Sequence, residues 1–304
     1  MKEMIKIVLG LCVTCITAAC IMGVTFIFTS DPKKKNEHIN FEKNMFNVLG
    51  YNENRSIPAD LKLYSIFRYI IIQGDNQYLG YAVPVGEKDS SGYDLLQVDT
   101  NGNFVDHKHL DIKPEKVMEE GDRTSAIKAA VGGAATVTYA DMFFVAKVEN
   151  KRSAFLLPAE TIGFKTTIGF MLALDPLYNV IGVEILEHEE DPGLGAEIEQ
   201  EYFKNQFQGK SFEKVKSIVV IKQPIPDDYL KFLEKKKWRQ GEYSEQEIKA
   251  MQQKYQDSDI NAITGATISS VALTNGIKVA VKKFVYRVKV LDTIIMNKQI
   301  AVAF

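Results

Sequence analysis

The stretch Asn261-Ala262-Ile263-Thr264-Gly265-Ala266-Thr267-Ile268-Ser269-Ser270 packs a turn, a helix start and a cluster of hydroxyl side chains into ten residues. Thr264 suits an N-cap, where a side-chain oxygen accepts from a free backbone amide, and Gly265 allows a sharp turn and close backbone approach. Apolar residues then recur at helical spacing from Ile268 to Val285, so a helix begins at the hydroxyls. The unpaired amides of its first turn and the positive end of its dipole face whatever lies beside Thr267, and a phosphate is the natural occupant. A hydroxyl-rich cap before an apolar run is also ordinary helix chemistry, and these residues alone leave both readings open.

The chain has 304 residues, 46% of them hydrophobic, enough for a real core in one or two domains. Its 37 basic and 39 acidic side chains make no polycation, so nucleic acid is not an expected partner. Ile7 to Phe28 is an uncharged apolar run of 22 residues, which as a helix spans roughly 30 Å and reads as one membrane anchor. A cleaved signal peptide is the competing reading, although the run exceeds a typical signal core, and Thr17-Ala18-Ala19-Cys20 resembles a lipoprotein processing site only weakly. Cys12, Cys15 and Cys20, the only three cysteines, all fall inside this span, which leaves none for a disulfide in the rest of the chain. Cys12 and Cys15 share a helix face; small side chains packing on neighbouring helices is the plain reading, and a redox or metal role the sharper one. Lys2 and Lys6 before the span against Lys33, Lys34 and Lys35 after it mildly favour a cytoplasmic soluble part.

After a polar linker over 31–60, short apolar runs at Leu61 to Gln73, Tyr78 to Val85, Tyr93 to Val98 and Phe104 to Leu110 are separated by turn clusters and read as an antiparallel meander. The layout recurs. Gly92-Tyr93, Asp99 and Phe104-Val105 parallel Gly169-Phe170, Asp175 and Val180-Ile181, within a second set of strands at Ala154 to Pro158, Gly163 to Leu174 and Val180 to Leu186. Ser125-Ala126-Ile127 leading through Gly132 to Thr136 into the Met142 to Val148 run echoes Asn261-Ala262-Ile263 leading through Thr264 to Thr267. Two tandem copies of one α+β module, the first degenerate, would account for this; convergent short strands would mimic it. A strand is expected at Ser217 to Lys222, two amphipathic helices in the charged stretch 223–259, and closing strands at Val288 to Ile295 and Ile300 to Phe304. That charged stretch is either a solvated excursion or a docking surface anchored by Trp238.

The second meander runs into His188-Glu189-Glu190-Asp191-Pro192-Gly193-Leu194-Gly195. Pro192 fixes a turn, and Gly193 and Gly195 bring backbone amides close to a flat ligand or simply connect strand to helix. His188 and Glu190 invite acid/base roles, but no serine triad, metal-spaced set or GxGxxG accompanies them, so both belong to the surroundings of a ligand. Phe203 and Phe207, in an expected helix over 197–209, read as core.

Thr264-Gly265-Ala266-Thr267 resembles the [Ser/Thr]-Gly-Ala-Thr motif of the FMN-binding domain found in the G subunit of the Rnf electron-transport complex and the C subunit of the sodium-pumping NADH:quinone oxidoreductase. The loop His188 to Gly195 resembles that family's His-x-Glu-Thr-Pro-Gly-Leu-Gly in the expected order, with Asp191 replacing the threonine. A second departure is Asn261, where the family usually has an acid. The resemblance covers about Phe155 to Phe284 apart from the charged stretch. It implies FMN joined to Thr267 by a phosphoester that a flavin transferase installs, with Thr264, Gly265, Ala266 and Ile268 shaping the turn. It also implies His188, Glu190, Gly193, Leu194 and Gly195 beside the ring, and a soluble domain outside the cytoplasmic membrane.

The expected architecture is α+β: a transmembrane anchor at 1–30, the linker 31–60, a degenerate FMN-binding-like module at 61–150, and an antiparallel-sheet FMN-binding domain at 151–304 with a helical insertion at 223–259. The expected function is an electron-transfer subunit of a membrane-bound, ion-translocating ferredoxin:NAD oxidoreductase. It would work beside other subunits of that complex; no catalytic or metal-binding residue is assigned. A subunit of the sodium-translocating quinone reductase, or a free-standing membrane-anchored flavin reductase, is the alternative.

Overall fold

The computed structural model describes residues 2–51, 55–86, 92–239 and 242–304. Two compact units emerge, 1–45 and 46–304. In the first, helix α1 (Lys2–Val48) carries the apolar run, and Met4–Thr29 is long and apolar enough to cross a membrane. The expected linker is helical as far as Val48.

The second unit is built on one eight-stranded antiparallel sheet in the order β4-β3-β2-β1-β5-β6-β7-β8. Its strands are β1 (Lys62–Gln73), β2 (Asn76–Pro84), β3 (Tyr93–Asp99), β4 (Phe104–Leu110), β5 (Thr136–Val148), β6 (Lys151–Ile162), β7 (Thr167–Leu174) and β8 (Val180–Glu187). β1 and β5 pair at the centre, and each heads a four-strand meander running outward. Consecutive residues on these strands are buried on opposite faces, Ile66 in one core and Phe67 in the other, which is why the central strands read as continuous apolar runs. The β3–β4 and β7–β8 turns are built alike. Asp99 accepts from the Asn101 and Asn103 amides and the Asn103 side chain; Asp175 accepts from the Leu177 and Asn179 amides and the Asn179 side chain. Each turn has one left-handed residue, Gly102 or Tyr178.

Helix α2 (Glu120–Val131) covers Phe67, Tyr69, Ile71 and Leu95 on one face. There the buried Arg123 guanidinium donates to Tyr69 Oη at 3.0 Å and lies 3.8 Å from the Phe67 ring centre. Helix α7 (Thr267–Lys298) spans the other face, with Leu273, Ile277, Val281, Phe284, Val288, Leu291 and Ile294 forming a buried stripe at i, i+3 and i+4 spacing. Each such side chain contributes about 1.5–3 kcal/mol by burial. The Arg152 guanidinium on β6 holds α7 through a two-pronged bond to Asp292, at 2.9 and 3.1 Å.

Several local expectations change. Val288 to Ile295 is helix, not strand: Val288, Leu291 and Ile294 recur at the i, i+3 spacing of the stripe that α7 buries, and neither Gly nor Pro interrupts them. Ile300 to Phe304 forms no strand: Val302 makes an isolated bridge to Val85, just past β2, and the Ala303 amide bonds the Pro84 carbonyl at 3.0 Å. The expected strand at Ser217 to Lys222 shrinks to β9 (Val220–Ile221), because helix α4 (Phe212–Ser217), capped by Ser211, takes its start. β9 pairs in parallel with β10 (Ile260–Asn261). The expected helix over 197–209 is broken into two 3-10 turns flanking the single α-turn α3 (Glu201–Lys204), and Phe203 and Phe207 are core. The echo between Ser125 to Thr136 and Asn261 to Thr267 also fails locally. Ser125 lies inside α2 and Gly132 to Thr136 leads from helix to strand, whereas Asn261 leads from strand to helix.

The charged stretch does hold two helices, α5 (Asp227–Leu233) and α6 (Glu245–Tyr255). They close a small core of their own, with Tyr229 stacked on Tyr255 at 3.9 Å. Trp238, half-buried, packs on it against Phe232 and Tyr243 and donates to the Lys231 carbonyl at 3.0 Å. The wholly buried Lys210 ammonium caps the end of α6, donating to the carbonyls of Tyr255, Gln256 and Ser258.

Candidate functional site

Three connections meet at the start of α7: the β6–β7 turn at 163–166, the loop after β8, and the turn 262–266. Glu190 joins them. Its carboxylate is buried, accepts from the Phe164 and Lys165 amides at 2.8 and 3.1 Å, and takes the Ser269 hydroxyl on its other oxygen. Three hydrogen bonds to one buried carboxylate offset its desolvation, which makes Glu190 a structural pin. Gly163 and Gly195 are required beside it. A Cβ at Gly163 would sit 2.3 Å from one Glu190 oxygen, and one at Gly195 would sit 2.6 Å from the other. His188 supports the pin: Nδ1 accepts from the Glu190 amide at 3.0 Å while Nε2 pairs with Glu199 Oε1 at 2.8 Å. Asp191, at the position of the family's threonine, forms an ion pair with Lys165 and so ties the same two loops.

The turn before α7 sorts the hydroxyls. Ala266, not Thr264, occupies the cap position, and no side chain caps it. The reason is Gly265 at φ +80°, which closes a turn in which the Ala266 amide bonds the Ile263 carbonyl and leaves Thr264 at an exposed corner. Ser270 and Ser269 are buried and engaged, Ser270 accepting from the Ile263 amide at 3.0 Å. Thr267 is half-buried, and its hydroxyl makes no hydrogen bond among the described residues. The amides of Thr267, Ile268 and Ser269 likewise have no acceptor among the described residues.

Leu194 reaches across so that a Cβ on Gly265 would lie 2.9 Å from its Cδ2, which brings the two sequence motifs into contact. Ile162, Phe164, Leu194 and Ile268 are exposed apolar side chains on the segments that converge here. Gly193, with φ +71°, faces open space.

Asn261 has a role of its own. Its side-chain amide donates to the carbonyls of Gln223 and Pro224, at 3.0 and 3.4 Å, and its backbone is clasped by the buried Gln206 side chain. An acid there would point a carboxylate at two carbonyl oxygens, so this chain's departure suits its own packing. Sequence reasoning missed Ser269, Gln206 and the 163–166 turn as parts of the site; Gly163 just after a strand was the one visible signal for the last.

Residues 163–282 match the FMN-binding domain family. The G subunit of the proton-translocating ferredoxin:NAD(+) oxidoreductase complex of Clostridium ljungdahlii is 30% identical over 141 residues, which cover 46% of this chain and 58% of that protein. Among solved structures, NqrC of Shewanella oneidensis overlaps 80% of this chain and 91% of its own at 13% identity, with a TM-score of 0.43. The C subunit of the Na(+)-translocating NADH-quinone reductase of Parabacteroides distasonis overlaps 66% and 77% at 20% identity, with a TM-score of 0.35. Overlaps this loose add nothing to the reading of the site.

The residues fit the group that the family binds. An unengaged hydroxyl beside three unpaired amides at the start of a 32-residue helix suits a phosphate, and the exposed apolar side chains around it suit a flat ring. The chain therefore carries an FMN-binding domain over residues 163–282, with FMN as its cofactor.

Proposed function

We propose that this chain is the flavin-carrying electron-transfer subunit of a membrane-bound, ion-translocating ferredoxin:NAD oxidoreductase complex of the Rnf type, with FMN joined through its phosphate to the Thr267 hydroxyl. The observation that carries the attachment is the contrast among the hydroxyls at the α7 start: Ser269 and Ser270 are buried and bonded, and Thr267 is half-buried and unbonded beside free amides. The similarity to the G subunit of the Clostridium ljungdahlii complex supports the complex.

When bound, FMN supplies one- and two-electron redox chemistry. The chain's own residues hold and tune it. Thr267 tethers the phosphate, the first-turn amides of α7 take its charge, and Thr264, Gly265, Ala266 and Ile268 form the ledge around it. Glu190 and His188 fix the loop carrying Gly193, Leu194 and Gly195, so that the loop backbone and the Leu194 side chain stand against the ring. The tether stops a shuttling cofactor from diffusing away between electron donor and acceptor. The Met4–Thr29 span anchors the domain on the extracytoplasmic side of the membrane, and a flavin transferase makes the bond during maturation by moving FMN from a flavin dinucleotide to the Thr267 hydroxyl, breaking the pyrophosphate bond and releasing the nucleoside monophosphate. The matching Asp99 and Asp175 turns support reading 61–150 as a degenerate copy of the module, with the binding machinery retained only in 151–304.

The test is full-chain protein produced with and without a flavin transferase, then denatured and digested. The expected result is a mass increment of FMN less one water on the Thr267 peptide only when the transferase is present. Flavin on any other peptide, or none with the transferase present, overturns the attachment.

A further inference from the structure

On the opposite flank of α7 from Thr267 lies a cavity of ≈ 690 Å³ between the helix and the strands, a size that suits a small organic ligand. It runs across the sheet. At one end stand Arg68 of β1, Tyr81 of β2, and Lys283 and Arg287 of α7, grouped about Asp141; at the other stand Glu160 and Glu187. Leu157, Ala159, Val279 and Ala280 make the wall between them apolar.

The cationic end carries more charge than its carboxylate neutralises. Asp141 serves two guanidiniums, bonding Arg68 Nε at 2.8 Å and Arg287 at 3.0 Å, and Lys283 has no ion pair among the described residues. Tyr81 is 1% exposed and lines the cavity, yet its hydroxyl makes no hydrogen bond among the described residues. The hydroxyl opens on the cavity rather than into closed core, so it is free to donate to a guest there.

FMN tethered at Thr267 does not fill this end. Lys283 is sixteen residues further along α7, which places it about 24 Å away and about 160° around the helix. We infer that this cavity is a second ligand site, for a flat aromatic molecule bearing a carboxylate or phosphate. Its anionic group meets Lys283, Arg287 and the Tyr81 hydroxyl, and its ring lies on the apolar wall.

The site goes beyond the flavin proposal and is tested apart from it, on full-chain protein in detergent with its flavin attached. Calorimetric titration with naphthoate is expected to give saturable one-to-one binding, with the neutral naphthylmethanol about tenfold weaker because it lacks the charge-assisted bonds. Lys283→Gln and Tyr81→Phe are each expected to weaken naphthoate binding several-fold and leave naphthylmethanol unchanged, while Ala280→Trp blocks both. Visible absorbance reports flavin content, which stays constant across these variants. No saturable naphthoate binding, or binding indifferent to Ala280→Trp and Lys283→Gln, overturns the inference.

Discussion

The two halves of the sheet share a plan and differ in the connection that leaves their last strand. β1–β4 and β5–β8 are both four-strand meanders with the same aspartate-pinned third turn. After β4, the chain makes one 3-10 turn and the short helix α2 and returns directly to the sheet. After β8, it lays down the glycine loop, a broken helical segment, the charged excursion and then the long α7. Strand pairing supplies a rigid platform in both halves, and chemistry sits where connections between strands have been elaborated. Glu190, Ser269 and Thr267 all lie on connections or at a helix end; none lies on a strand.

The sharpest way to break this contrast is to exchange hydroxyls between the halves. Thr267→Val is expected to abolish flavin retained after denaturation, while Thr136→Val, at the position that the sequence echo pairs with it, leaves retention unchanged; visible absorbance of denatured protein decides. Next in size is Glu190→Ala, which leaves the Phe164 and Lys165 amides and the Ser269 hydroxyl without their acceptor and is expected to cost about 2–3 kcal/mol in chemical unfolding, with faster hydrogen exchange at 163–166. Asn261→Asp sets a carboxylate against the Gln223 and Pro224 carbonyls and is expected to cost about 2 kcal/mol by the same measurement. Gly265→Ala, strained at φ +80° and crowding Leu194, is expected to cost about 1 kcal/mol and to reduce flavin loading.

The halves also part by pH. Burial pushes the Lys210 ammonium down to about 8 from its ordinary 10.5. Between those values the unfolded chain keeps a proton that the folded chain has released, so this group makes stability rise with pH across that window, and its burial cost stands in full below it. Lys210→Met is expected to flatten that rise, as read from melting temperatures across the window.

Much of the fold was legible. The strands announced themselves because each apolar run is bounded by turn residues, and the two motifs carried the site's position because glycine, proline and hydroxyls have local consequences. The features that escaped were decided at long range. The Val288 to Ile295 run has strand-like composition, and only its register on the sheet face makes it helix. β5 begins six residues before its apolar run, since Thr136 to Asp141 extend it by pairing with β1. Thr264 looked like the cap because capping was judged from residue type, whereas the backbone of Gly265 moved the cap to Ala266. Glu190 was placed near the ligand, but its work as a pin depends on Phe164, Lys165 and Ser269, which spacing along the chain does not bring together.

Helix α7 runs without a break for about 48 Å. One end presents Thr267; the other, through Val290 and Lys298, rests on the Gly102 turn and the Phe104 ring of the far half. The helix's buried stripe from Leu273 to Ile294 and the Arg152–Asp292 bond bed that rod on the sheet along most of its length, so the turn before Thr267 and the β3–β4 corner share one footing and the helix start inherits the rigidity of the sheet beneath it.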